Sequence, residues 1–314
     1  MRIWIYKFVH IGGNMKKREF LKIQSSIKDK ITNEHFISYA QVIDYINTIN
    51  SWKCEIRNIG TQEKSIIDIS KIYCLLFGLI SFSTIIGDNN KDDNNEINEY
   101  KMLKICIHSL SSQISNDILS ILKLTLTGLD FQAGILIRNL YELAFTILAI
   151  MIDKRQCRDY FESAAKDNEY DVWRNNFTMK KLNNTLELFE KSINDNEELS
   201  FTSDWRKKNY SFYSGFTHND FFQCYNTSYT KVKTEDEHEI KSFNLWGGKA
   251  TRITYNLEPI NDLLMYTGLL FYKIIIINKI DKEKLITERE IWNNSFVISM
   301  IAEELYKKYL VENK

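Results

Sequence analysis

The chain has 314 residues, of which 44% are hydrophobic and 26% charged, the proportions of an ordinary globular protein with enough length for a sizeable core. Lys plus Arg and Asp plus Glu each number 41, so the formal net charge is zero; this excludes a protein held to nucleic acid or membrane by its overall field, though not a local basic patch. One proline and 11 glycines exclude a turn-rich all-β chain and favour long helices, and 5 scattered cysteines without a CxxC pair exclude a disulfide framework or a structural zinc site.

The first residues carry a short apolar run after Arg2 without a small-residue cleavage site, so no signal peptide is expected. Met15 opens "MKKREFLKIQ" and reads as a more natural start, with 1–14 an extension or loose arm. Over 16–58, Phe36, Tyr39, Val42, Ile43 and Ile46 recur at helical spacing. The run 71–87 has no charge after Lys71 and is close to the shortest length that crosses a bilayer. Its serines and threonines, and the lack of flanking aromatic and basic anchors, favour a buried helix, so no stable membrane span is expected. The acidic, Asn-rich stretch 88–99 reads as a linker between an N-terminal helical region, 1–87, and a helical core, 100–314.

Within that core the pattern predicts a long amphipathic helix over 100–126, a break at "TGLDFQAG", and a strongly apolar helix over 131–153. Helices follow at 155–168 and at 178–193, the latter with Leu182, Leu186 and Phe189 on one face. A loop is expected at 194–204 and a mostly helical segment at 205–225. The stretch 226–256 is polar and irregular, with room for a short hairpin. Pro259 is expected in the first turn of a helix over 260–280, and a last amphipathic helix covers 287–311. The fold class is all-α, a helical bundle, and cytoplasmic location with reduced thiols follows from cysteine usage.

Two charges interrupt the apolar helix "GILIRNLYELAFTILAIM": Arg138 and Glu142, four apart and so on one face. Their order, Arg before Glu, is the weaker one for a surface pair, which leaves two readings. They form a buried pair that fixes helix packing, or they are half of a site. The segment "NYSFYSGFTHND" offers the other half, because Tyr210, Ser214 and either Thr217 or His218 fall on one helical stripe. Hydroxyls beside an imidazole suit a phosphate or a sugar, and histidine moves protons near neutral pH. Just upstream, "WRKKN" sets Arg206, Lys207 and Lys208 beside an aromatic ring, a patch that suits a nucleic-acid backbone.

Other patterns carry less. Glu235 and His238 in "EDEHE" have a di-metal spacing without a second copy and read as a solvated charge run. His108 with Cys106 is too little for a metal site. "WGGKAT" lacks the first glycine of a phosphate loop, and no Gly-x-Ser-x-Gly occurs. No metal and no cofactor are expected.

"RNLYE" on a buried helix, preceded by "TGLDFQAG" and followed by "YSGFTH", resembles a family of bacterial HEPN-like proteins of unknown function, over about residues 100–280. The resemblance implies an all-α bundle that dimerises through a bundle face. It also implies either a metal-independent ribonuclease of toxin–antitoxin or phage-defence type, or a non-catalytic binder of RNA or nucleotide, with an antitoxin or other protein as partner. In a ribonuclease, His218 would take the proton of a ribose 2′-hydroxyl that attacks the adjacent phosphate. Arg138, with Arg206 as the fallback, would stabilise the charge on phosphate oxygens. Glu142 would hold Arg138, while Tyr210 and Ser214 would bind phosphate or sugar. The sequence departs from the family's Arg-x4–6-His pattern, since no arginine precedes His218 at that spacing and Tyr213 stands where the family has leucine. The alternative is a non-catalytic module for a protein or nucleotide, with Arg138 and Glu142 structural.

Overall fold

The structure, a computed structural model, describes residues 60–85, 98–163, 175–193, 200–218, 224, 227, 229–233, 239–243 and 252–313. The helical spacing at 16–58, most of the 88–99 stretch, Glu235 to His238 and "WGGKAT" lie outside them. The described residues belong to one compact unit, Cys54–Lys314.

That unit is a helical bundle. In chain order the described elements are α1 (Thr61–Ser83), α2 (Glu99–Leu126), α3 (Asp130–Ile152), α4 (Lys154–Ser163), α5 (Met179–Ile193) and α6 (Ser200–Thr217). There follow the hairpin β1 (Tyr229–Lys233) and β2 (Glu239–Phe243), then α7 (Ile253–Ile277), the single turn α8 (Lys282–Leu285) and α9 (Arg289–Asn313). The hairpin is antiparallel, with Lys231 opposite Lys241, and falls inside the stretch read as irregular.

Four long helices close a ring: α1 packs on α2, α2 on α3, α3 on α7, and α7 back on α1. Polar side chains pin each seam. The Ser115 hydroxyl donates to the Cys74 carbonyl at 2.9 Å, the Asn139 amide to Asp117 at 2.6 Å, and the Asn256 amide to Asp130 at 2.7 Å. Ser70 donates to the Asn261 side chain at 3.1 Å across the last seam. Cys74 meets Ser115 while Ser81 meets His108, so α1 and α2 run antiparallel. By contrast α7, reached after α4 to α6 and the hairpin, runs parallel to both α3 and α1. Outside the ring, α9 lies along α1, while α4, α5 and α6 cover α3. Residues Ala144 to Met151 of α3 are all buried, which is why that helix shows no polar stripe in sequence.

Several expectations need correction. The helices before and after 88–99 pack directly on each other, so that stretch joins two helices of one unit and is not a domain boundary. The first described helix begins at Thr61 rather than near 71, because Ile66, Ile67 and Ile69 already face the core. Residues Ser200–Asp204 belong to α6, not to a loop. Pro259 sits inside α7 rather than in its first turn, because the helix starts at Ile253 to bring Asn256 and Leu257 into the core. The helices α1, α3 and α7 are each long and apolar enough to cross a membrane, and 50%, 61% and 61% of their most apolar windows are buried in the bundle.

The break after α2 is local chemistry. Gly128 has a φ of 69°, the left-handed region that ends helices. The Leu129 amide reaches the Leu124 carbonyl at 2.8 Å and the Gly128 amide the Thr125 carbonyl at 3.1 Å, together forming a Schellman motif. Gly128→Ala should cost ~1–2 kcal/mol, read as a lower urea midpoint with an unchanged slope. A midpoint equal to wild type would mean that the α2–α3 turn adapts.

Asp130 opens α3 and is buried, and desolvation raises its carboxyl above the ordinary aspartate pKa despite the Asn256 amide and the Arg252 charge, which lower it. It holds its proton more tightly folded than unfolded, so its ionisation weakens the fold. That penalty is absent below the ordinary pKa of 3.8 and is fully felt once pH passes the raised value. Asp130→Asn keeps an acceptor for Asn256 and removes the ionisation. Its Tm relative to wild type should therefore improve between pH 4 and pH 7; a pH-independent difference would refute the assignment.

Candidate functional site

The helix α6 packs antiparallel on α3, and their seam gathers much of what the sequence singled out. Two phases of α6 are distinct. Tyr213 and Phe216 point inward: the Tyr213 ring stacks on Tyr141 at 6.0 Å, and Phe216 contacts Phe131 at 5.6 Å. Tyr213 is thus a core residue. Tyr210 and Ser214 lie at the edge of the seam, half-buried, and His218 is exposed just past the helix end.

Tyr210 meets the charged pair of α3. Arg138 Nη2 lies 3.0 Å from Glu142 Oε1 and donates to the Tyr210 hydroxyl at 3.0 Å. That hydroxyl donates in turn to Glu142 Oε1 at 2.8 Å, and the guanidinium lies over the Tyr210 ring, 5.5 Å from its centroid. Burial raises the phenol's pKa above its usual value; the Arg138 hydrogen bond opposes this and the Glu142 bond adds to it. Tyr210 therefore keeps its proton at neutral pH and serves as the donor to Glu142. The sequence reading of a buried pair is corrected here: α6 covers it only in part, and the two side chains are 26% and 24% exposed. Arg138 Nε is buried and has no partner among the described residues, so only the outer nitrogens of the guanidinium are within reach of a ligand.

Arg206 is a correction. It is fully buried, not part of a basic surface. Its guanidinium makes a two-pronged pair with Glu190, with Nη2 to Oε2 at 3.0 Å, and donates to Asn183 at 3.0 Å and to the Tyr266 hydroxyl at 2.9 Å. It holds α5, α6 and α7 together and cannot reach a nucleic-acid backbone. The phase set by Tyr213 seven residues on, which places Arg206 on the inward face, is the signal that could have revealed this. Lys207 and Lys208 are exposed, as a solvent-facing patch requires.

His218 is not beside Arg138. It lies two turns beyond Tyr210, roughly 12 Å along the α6 axis at 1.5 Å per residue. Its amide closes the helix on the Ser214 carbonyl at 3.2 Å, which also accepts the Thr217 hydroxyl at 2.9 Å. The stripe is Lys207, Tyr210, Ser214 and His218, with Arg138 and Glu142 joining at Tyr210. Such a stripe can offer hydrogen bonds and cationic charge to an extended anion. It does not place a base and a guanidinium on one phosphate. Among the described residues, no group of three or more His, Cys, Asp or Glu side chains is placed to hold a metal ion.

Helical architecture and this half-buried polar seam define the chain as an all-α bundle protein with a candidate anion-binding edge. Comparison with protein-family models, curated proteins and solved structures finds no match.

Proposed function

We propose that this is a HEPN-like, cytoplasmic RNA-binding protein that lays a single strand along the edge of α6. Phosphates would meet Lys207, Lys208 and the exposed part of the Arg138 guanidinium, while Tyr210 and Ser214 would supply hydrogen bonds to sugar or phosphate. The observation that carries the reading is the Arg138–Glu142–Tyr210 cluster. It is partly open to solvent and stands in line with Lys207 on one side and His218 on the other. The distance of His218 from Arg138 favours binding over cleavage. A homodimer, an antitoxin or other protein partner, and a defence role belong to the same proposal.

Fluorescence anisotropy with labelled single-stranded RNA, in EDTA and across a salt series, tests it. Replacing Lys207 and Lys208 together with alanine should flatten the dependence of log K on log salt by ~1.4, two phosphate contacts on a single strand. Arg138→Ala should weaken binding while the protein stays folded. If wild type shows no salt-dependent binding, or Arg138→Ala only lowers the Tm, the cluster is a packing device. If RNA is instead cut to cyclic-phosphate ends and His218→Ala stops it, the strand is a substrate.

A further inference from the structure

At one end of the bundle α2, α3, α4 and α7 converge on a cavity of about 490 Å³, within the range of small-molecule pockets. It is built from the start of α2, the last turn of α3, α4, and residues Asn278 to Ile280 just after α7. Its apolar wall is aliphatic, formed by Met102, Leu103, Ile150, Met151 and Ile280, and side chains of this kind mould to a flexible chain. Its rim is charged. Lys154 and Arg158 lie four apart, on one face of α4, and together they hold the Glu99 carboxylate. Lys154 Nζ is 3.0 Å from Oε2 and Arg158 Nη2 is 3.3 Å from Oε1, with all three side chains open to solvent. Lys279 also lines the cavity and makes no ion pair among the described residues, so three cations there meet one carboxylate. Carbonyls near the ends of α3 and α7 are taken up by the chain itself. The Asn278 side-chain amide donates to the Met151 carbonyl at 3.2 Å, and the Ile280 amide to the Ile275 carbonyl at 3.0 Å.

We propose that this cavity binds a carboxylate with an aliphatic tail, of the class of a medium-chain fatty acid. The tail lies against Met102, Ile150 and Met151, and the carboxylate sits on Lys154 and Arg158 in the place that Glu99 takes in the unliganded chain. Two observations carry this. The two cations already grip one carboxylate, one oxygen to each, and the aliphatic wall belongs to the same cavity as that grip. Glu99 competes with the head of the ligand. Once displaced it remains in the first turn of α2, where the helix N-terminus favours a negative charge, so its release from the cations is only partly uncompensated. Ile150 lies twelve residues beyond Arg138 on α3, roughly 18 Å along the helix axis. The cavity is therefore separate from the α6 edge and does not depend on RNA binding there.

The test is calorimetric titration of the full chain with decanoate below its micelle concentration, beside decanol and acetate. Decanoate should saturate a single site and raise the Tm as its concentration rises. Decanol, which lacks the charge, should bind about tenfold or more weakly, and acetate, which lacks the tail, should not bind in the same range. Lys154→Ala with Arg158→Ala, both at the surface, should cut decanoate affinity about tenfold and leave that of decanol unchanged. Glu99→Gln removes the competing carboxylate and should tighten decanoate by roughly two- to fivefold, the factor of one exposed ion pair. A purely structural role for Glu99 gives no such gain. The proposal is overturned if wild type does not bind decanoate, if decanol binds as tightly, or if Glu99→Gln leaves the affinity unchanged or weaker.

Discussion

Arg206→Ala should lower the stability of the unit by about 3–5 kcal/mol, because it removes one partner of a buried ion pair and leaves the other charged in the core. Glu190 would keep a hydrogen bond from Tyr266 at 2.6 Å but lose both prongs of the guanidinium, and Asn183 would lose its donor. Against a net stability of about 5–15 kcal/mol for a typical domain, that is a large fraction. The loss arises from the stranded carboxylate rather than from the pair's net worth. Removing the polar set together, as Arg206→Met with Glu190→Leu and Tyr266→Phe, should therefore recover much of it. Urea unfolding of the two variants beside wild type provides the measurement. A single variant with native stability but weaker RNA binding would return Arg206 to the site and refute its role as a core pin.

Gly134→Ala should be the most disruptive small change in the α3–α6 seam. A Cβ at Gly134 would lie 2.4 Å from the Phe216 ring, far inside van der Waals contact, so the helices must part or the ring must move. Overpacking of this kind costs about 1–3 kcal/mol. Phe216 is held by Phe131, Tyr213 and Phe212, so the ring has little freedom to yield. Arg138 lies one turn from Gly134, and widening the seam would stretch its hydrogen bond to Tyr210. The variant should thus lose Tm, and with it the RNA binding proposed above. Adding Phe216→Leu should restore part of each, giving a double variant better than the sum of the single changes. Strict additivity would show that Gly134 acts through something other than that ring.

The helices α2, α3, α5 and α9 were legible in the sequence because their causes are local. Apolar spacing, few breakers and the Gly128 turn act within a few residues, and that interaction range is what periodicity reports. The pairing of Arg138 with Glu142 was visible for the same reason, and so was the stripe from Tyr210 to His218. What joined them was not. Tyr210 closes on Arg138 from 72 positions away, and the antiparallel docking of α6 on α3 that brings it there depends on a glycine facing an aromatic ring. That docking also sets His218 two turns off.

Arg206 shows the limit most clearly. In sequence it is one of three consecutive cations, and only the helical phase it shares with Tyr213, seven residues on, separates it from Lys207 and Lys208. Its environment comes from Asn183, Glu190 and Tyr266, on two other helices. Phase marks it as the inward-facing cation of the three, but tertiary packing is what makes it a core residue, since desolvating a guanidinium is tolerable only where several distant acceptors converge on it. The sequence by itself determined the helical class, most helix spans and the polar face of α6. The tertiary structure alone decided which charges meet and which are buried, because those depend on helix faces brought together over long separations.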